Sequence, residues 1–482
     1  MNDLIFIIKS RVSFYLLILV LFNISLLFVN DIKSMILVTC TLALSLLLVK
    51  KTTLTQTLFL TCINVIWLEK GIRGINLLVL ARGAEPWMSS YSIYFGLSIK
   101  LILILCLAIM LLFKTKSASS LRNVLLIILM SLGGLSVLIS SDYLLAYSGF
   151  IRLFSAIALF FISSELLKNA TFKQLVIATL VSVFAFQAAV GVYQLFNANQ
   201  LPIYLNDAYG LRESGYFTSD GPSIFRVTGL VGHPTYFGSL MVLLLPFVLW
   251  KLIERYAIFK NKLTAYSALV FIVVVLVFIL GSIAIYGSFS RSAWIISAFT
   301  FLVFLWSETK KKSLKFKKII IFLFVALMLL VFAFVPNMRE RIATIPDFIS
   351  AGSGKVRVQL MQESLVIISQ HPFFGVGPNH FVRAMAQRDL VPELRGFMFP
   401  VHNTFLLLAS EMGMPMVTVL IIIISLSLMK LRTSCNPKKN LERIAIFTAI
   451  VSFIISSQFH ALYNQDPTFE LLFVLLAWSK SV

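Results

Sequence analysis

The sequence predicts an all-α, polytopic integral membrane protein, with about 12–14 transmembrane helices and a large loop outside the bilayer. Three observations predict it. Hydrophobic residues make up 59% of the 482-residue chain and charged residues only 13%. Apolar runs of span length recur along the whole sequence, and lipid offers no partner to a bare N–H or C=O group, so each run must close its own hydrogen bonds as a helix. The net charge of +21 is gathered in short segments between those runs, as in cytoplasmic loops under the positive-inside rule. No soluble basic stretch is long enough to form a nucleic-acid-binding domain, so no nucleic-acid partner is expected.

Taken in order, spans are predicted over residues 12–30, 32–50, 53–68, 93–113, 121–139, 143–166, 173–196, 236–254, 264–287, 290–307, 316–335, 402–429, 443–462 and 467–482. The first run is span-length and lacks a small-residue cleavage site, so it reads as a retained helix. Lys50/Lys51, Lys114/Lys116/Arg122, Lys168/Lys173, Lys251/Arg255/Lys260/Lys262, Lys310 to Lys318 and Lys430 to Arg443 fall on every second loop. That alternation keeps the short third and final spans and places both termini in the cytoplasm. Residues 1–482 thus read as one membrane domain with outer loops over about 69–92, 197–235 and 336–401. Within the third loop, Val356 to Ile368 has apolar residues at helical spacing and is expected on the membrane surface or over a cavity. The cysteines, Cys40, Cys62, Cys106 and Cys435, have neither metal-site nor disulfide spacing.

The stretch His371 to Pro415 is polar, rich in Gly and Pro, and carries three of the five histidines. All five histidines fall on the outer side. His402 and Asn403 open the twelfth span. A histidine there can accept a proton from a hydroxyl; an Asn or Thr there can equally be a helix cap. Gly375, Gly377, Asn379 and His380, in HPFFGVGPNHF, offer tight turns and backbone donors, although glycine is common in any loop. Arg226, in FRVTGLVGHP with His233, suits a phosphate grip or simple snorkelling to water. Arg291, in GSFSRSAWI, lies on the outer side against the charge bias, and also suits a helix-end anchor beside Trp294. Arg152 and Lys100 fall inside spans, where charges are costly and tend to have a function. Glu411 could pair with one of these cations. Asp207, Glu213 and Asp220 are scattered, without the paired carboxylates of a glycosidase. No acidic metal-holding motif, Walker loop or Rossmann loop is present, so a reaction with no metal and no cofactor is expected.

FRVTGLVGHPTYFG, SRSAW, SGK-x-x-x-Q…HPFFGVGPNHF and HNTFLLLASEMG, in that order over residues 215–430, resemble the O-antigen ligase/polymerase superfamily of bacterial envelope enzymes. The resemblance implies a glycosyltransferase of the bacterial inner membrane whose active site faces the periplasm. Its donor would be an undecaprenyl-diphosphate-linked glycan; its acceptor would be a lipid A-core hydroxyl for a ligase or a growing glycan for a polymerase, with membrane lipids as further partners. By resemblance, Arg226 and Arg291 look like the arginines that contact the diphosphate, and His402 like the histidine near the acceptor hydroxyl. The family's loop arginine has Lys355 in its place, with Arg357 two residues on. Arg152, His233, Gly375, Gly377, Asn379, His380 and Asn403 are the expected substrate-binding residues. Charge neutralisation by arginines as the C1–O bond breaks needs no metal, and single-step displacement inverts the anomeric carbon. The ligase is the leading reading, the repeat-unit polymerase the alternative. A lipid-linked sugar transporter would need charged residues along a path through the bilayer, and the polar features crowd one face instead.

Overall fold

The computed structural model describes residues 53–65, 76–82, 94–112, 120–198, 216–217, 224–261, 263–308, 352–388, 390–391, 394, 399–433, 440–465 and 467–482, besides Ile18 and Leu21. The spans predicted at 12–30, 32–50 and 316–335, and most of the three outer loops, lie outside the described residues. Within them the helices are α1 (Leu54–Val65), α2 (Ile99–Leu112), α3 (Leu121–Leu138), α4 (Tyr143–Leu166), α5 (Ala170–Asn197), α6 (Pro234–Asn261), α7 (Ala265–Gly287) and α8 (Arg291–Glu308). They continue with α9 (Gly352–Gln370), α10 (Phe381–Ala386), α11 (Thr404–Met412), α12 (Met414–Thr433), α13 (Asn440–Ser457), α14 (Leu462–Gln465) and α15 (Pro467–Ser481). Among the described residues, six helices are long and apolar enough to cross a membrane: α3, α4, α5, α6, α7 and α12. The chain is a multi-pass, all-α membrane protein.

Helix starts are set by side chains that accept the orphan N–H groups of a first turn. Ser120 accepts from the Asn123 amide, Asp142 from Leu145 and Asn169 from Phe172. Thr264 and Ser267 form a reciprocal capping box at α7. These polar residues sit where apolar runs begin, so span boundaries were readable to within a few residues.

Four boundaries differ from the sequence reading, the first being that of α6, which runs to Asn261 where the predicted span stops at 254. The span predicted from residue 93 becomes helical only at Ile99, because Tyr94–Ser98 forms strand β2, antiparallel to β1 (Asn76–Arg82). A second small ribbon joins β3 (Tyr216–Phe217) to β4 (Ile224–Phe225). The span predicted over 402–429 is two helices, broken at Gly413, whose φ of 88° no helix accommodates. The span predicted to run to 462 ends at Ser457 and is followed by a turn and the short α14. The segment Val356 to Ile368 lies within α9, which buries Leu360 and Ile367 against α11 and leaves Val358 and Leu365 exposed.

Helix α6 is the axis. Its span is 94% buried within the protein, and α7, α13, α8 and α5 pack around it. Helix α15, carrying the fully buried Trp478, packs on α4, α13 and α12 and meets α6 through the stacked Phe247–Trp478 rings. At one end of the bundle, Arg122 donates to the Ser479 hydroxyl, Lys173 lies 3.3 Å from Glu442, and Lys480 donates to Ser120 and Asn123. The polar segments with Arg226, Arg291, His402 and His460 gather at the other end.

Candidate active site

Arg226 lies in the segment that leads from β4 into α6. Backbone N–H groups at this depth have little water to bond, and two glutamines on one face of α5 replace it. Gln194 Oε1 accepts from the amides of Thr228 and Gly229, its Nε2 donates to the Gly229 carbonyl, and Gln187 Oε1 accepts from Leu230. Gly229 turns the chain at a φ of +55°, with Gln187 Oε1 2.5 Å from where a Cβ would stand. The segment is thus fixed, and Arg226, only 6% exposed, donates from Nε to the Ser288 carbonyl at 2.9 Å. Replacing Gln194 with leucine removes the acceptor of two buried N–H groups, each worth about 1–3 kcal/mol. The expected outcome is a lower unfolding temperature in detergent, read by a thermal-shift assay; an unchanged temperature would contradict it.

The Ser288–Ser290 corner joins α7 to α8. It bends within three residues because Phe289 adopts a φ of +50°, uncommon for a bulky side chain. The fully packed Phe289 ring lies against Trp294, whose indole N–H donates to the Tyr286 carbonyl. Gly238 of α6 approaches so closely that a Cβ there would lie 2.9 Å from the Ala293 Cβ. Arg291 is the first residue of α8, partly exposed, beside Ser290 and Ser292, whose hydroxyls are 3.1 Å apart.

His402 and Asn403 precede α11. Asn403 is its N-cap, accepting from the Phe405 and Leu406 amides, and its Nδ2 donates to Gln458 Oε1 at 3.1 Å. The helix-cap reading of Asn403 therefore describes its oxygen, and its nitrogen is bonded across to the turn after α13. Thr404 donates from its hydroxyl to the His460 carbonyl at 2.7 Å and accepts from the Leu462 amide. The His460 ring, 3% exposed, is hydrogen-bonded through Nε2 to the Ser292 hydroxyl at 2.8 Å. His233, just before α6, accepts at Nδ1 from the Thr235 amide, so its neutral ring carries the proton on Nε2.

Electrostatics shows which groups share this region. His402 is pushed down to about 3, by desolvation first and then by the Arg357 charge, against the opposing effect of the Pro400 carbonyl. Burial holds the His460 pKa well below the ordinary histidine range, and Arg357, His402, His233 and Arg226 lower it further. Among the described residues, every ionisable group that bears on His460 is basic. Both imidazoles are neutral near pH 7. Arg226, His233, Arg357, His402 and His460 thus converge from the segment before α6, α9, the start of α11 and the turn after α13. Arg291 joins them through its neighbour Ser292. Among the described residues no group of three or more His, Cys, Asp or Glu side chains could hold a metal ion.

The remaining predicted residues belong to a neighbouring, buried structure. Gly375, Gly377, Asn379 and His380 fold the 371–381 loop against α11. Glu411 accepts from the amides of Asn379 and Phe381, its carbonyl accepts from Gly377, and Val376 donates to Ser410. Asn379 reaches the Ser148 hydroxyl of α4, and His380 is bonded through Nδ1 to the Pro378 carbonyl. Arg152, on α4, lies within electrostatic reach of Glu411 and Tyr463, and its Nη1 is buried without a hydrogen-bond partner among the described residues. Arg152 and this loop are thus not among the groups bearing on His460.

Sequence reasoning left Arg357 without a role and treated His460 as one histidine among five. The S-G-K-x-R spacing at the start of α9 was the available signal for Arg357, whose charge bears on both His402 and His460, whereas Lys355 is exposed. A lone histidine after an apolar run carries no comparable signal. Residues 276–421 match the family model described as O-antigen ligase. No curated protein matches the chain.

Proposed function

We propose that this protein is an O-antigen ligase, a reading supported by the match of residues 276–421 to the family model described as O-antigen ligase. In this reading it moves a glycan from undecaprenyl diphosphate to a hydroxyl of lipid A-core, at the periplasmic face of the bacterial inner membrane. The observation that carries the reading is the convergence of Arg226 and Arg357 with His402 and His460 at one end of the bundle. A diphosphate leaving group gains negative charge as the C1–O bond breaks, and preoriented guanidinium groups stabilise it without moving. Arg226 and Arg291 are the donor-side groups. His402, neutral and at the mouth of α11, holds the acceptor hydroxyl and takes its proton as the new bond forms. The attack displaces the diphosphate in one step and inverts the anomeric centre, with no metal required. His233 and Asn403 are proposed as substrate-binding groups. In this reading Arg152, Gly375, Gly377, Asn379 and His380 keep the acceptor-side loop in place.

Purified full-length protein, supplied with undecaprenyl-diphosphate-linked glycan and either lipid A-core or a second lipid-linked repeat, tests the proposal. Glycan on lipid A-core supports the ligase. Longer lipid-linked glycan alone makes the protein a polymerase, and no transfer to either acceptor overturns both.

The depressed pKa of His402 has a consequence for pH dependence. Its free-enzyme form stays neutral down to about pH 3, so the active state is not lost as pH falls through the ordinary histidine range. The kcat/KM profile, which reports groups of the free enzyme, is expected to show no histidine inflection between pH 5.5 and 8. An inflection near 6.5 that disappears in His402→Gln would refute the assignment.

A further inference from the structure

We propose that His460 is a positioning residue for glycan transfer, tying the arginine-bearing start of α8 to the histidine-bearing start of α11. The inference rests on the functional reading above. Its two attachments point in different directions along the chain. The ring bonds Ser292, next to Arg291, at 2.8 Å, while the backbone carbonyl of the same residue takes the hydroxyl of Thr404, two positions after His402, at 2.7 Å. The Leu462 amide closes on the same Thr404 hydroxyl at 2.9 Å, and Gln458 holds Asn403 at 3.1 Å. One five-residue turn, Gln458 to Leu462, therefore makes three hydrogen bonds to the two residues that follow the acceptor-side histidine, Asn403 and Thr404, and one to Ser292 beside a donor-side arginine.

The need for such a tie follows from the chemistry. In an in-line displacement, the acceptor oxygen and the departing diphosphate must sit on opposite sides of one carbon, and a misplacement of about 1 Å costs about 10²-fold in rate. Arg291 and His402 are carried by different helices, so their separation is set by whatever links those helix ends. The Ser288–Ser290 corner fixes Arg226 to the same unit through the Ser288 carbonyl. A direct proton-transfer role for His460 fits less well. Its Nε2 is engaged by Ser292, its ring is 3% exposed, and its ionisable neighbours are all basic among the described residues.

The test uses purified full-length protein with undecaprenyl-diphosphate-linked glycan and the acceptor that supports turnover. Variants are His460→Ala, His460→Gln, Ser292→Ala and the double Ser292→Ala/His460→Ala. The expected result is a fall in kcat of about 10–100-fold for His460→Ala and for Ser292→Ala, with donor KM within about twofold. The double variant is then no slower than the slower single one, because one tie is lost only once. His460→Gln, whose amide can reach Ser292, recovers most of the rate. Ser292→Ala guards against misfolding, since it removes the same bond from a partly exposed side chain. Wild-type turnover in a folded Ser292→Ala protein overturns the proposal. So does a fully additive double variant, or a raised KM with kcat unchanged. A wild-type protein that transfers no glycan overturns the functional reading, and the positioning role with it.

Discussion

Arg226→Ala is expected to lower glycan transfer by about 10²–10³-fold, the loss typical of deleting one preorganised donor from a site where charge develops, while leaving the protein in the membrane at normal levels. Arg226 is held by a segment whose amides are bonded to Gln187 and Gln194, and the Nε bond to Ser288 fixes the plane of its guanidinium. Because the segment's own hydrogen bonds do not pass through the side chain, truncation should remove charge rather than unfold the turn. Arg226→Lys is expected to recover little. Lysine keeps the charge but lacks the planar fork with which Arg226 bonds the Ser288 carbonyl and, in the proposed mechanism, would bond a phosphate oxygen as well. Arg291→Ala and His402→Ala should fall into the same class. The measurement is initial transfer rate at matched protein concentration, and near-normal rates for all three would exclude the site assignment.

Gly375→Ala is expected to cost folding itself. A Cβ at residue 375 would stand 2.3 Å from the Glu411 carbonyl carbon and 2.5 Å from the Met412 nitrogen, and the backbone φ is +66°. The left-handed conformation costs an L-residue about 1–2 kcal/mol, and forcing a methyl into a packed site about 1–3 kcal/mol more. No side chain can swing aside, because both obstacles are backbone. Gly413→Ala meets the same junction from the other side, 2.1 Å from the Phe373 oxygen at a φ of +88°. These two glycines let the 371–377 loop hydrogen-bond to the α11–α12 break, through Val376 to Ser410, Gly377 to Glu411 and Met414 to Pro372. Gly134→Ala is the control, since nothing lies within 4 Å of its Cβ position. Thermal unfolding and size-exclusion profiles in detergent should separate Gly375→Ala and Gly413→Ala, both strongly destabilised, from a Gly134→Ala protein close to wild type. A stable, monodisperse Gly375→Ala protein would show that this contact can relax.

Hydropathy made α3, α4 and α7 legible almost to the residue, because a capping side chain follows directly on a polar loop and precedes a long apolar run. The same signal missed the break at Gly413: the residues on both sides are apolar, and the reason for the interruption is a loop folded against it from earlier in the chain. It also extended the second described helix through Tyr94–Ser98, whose composition fits either a strand or a span. Charged residues near span ends were legible as candidates, and their grouping was not. Arg226 is placed by glutamines on α5 and a carbonyl at Ser288, and Glu411 serves amides of the 371–381 loop rather than a simple salt bridge. Those partnerships span long sequence separations and leave no local pattern. His460 is the clearest case, since its surroundings come from helices that the sequence does not place side by side.

The burial of α6 bears on how the chain is made. A helix covered on nearly every side leaves the translocation machinery before α13 and α15, which cover part of it, have been synthesised. Its apolar faces must then rest against lipid, a solvent they tolerate because burial in acyl chains and burial against other helices are almost equivalent for Leu, Val and Phe. Assembly is therefore an exchange of lipid neighbours for protein neighbours within the bilayer, driven by close packing at small residues such as Gly238. Premature chain release before α13 should leave an inserted but laterally exposed α6, a ready substrate for membrane proteases.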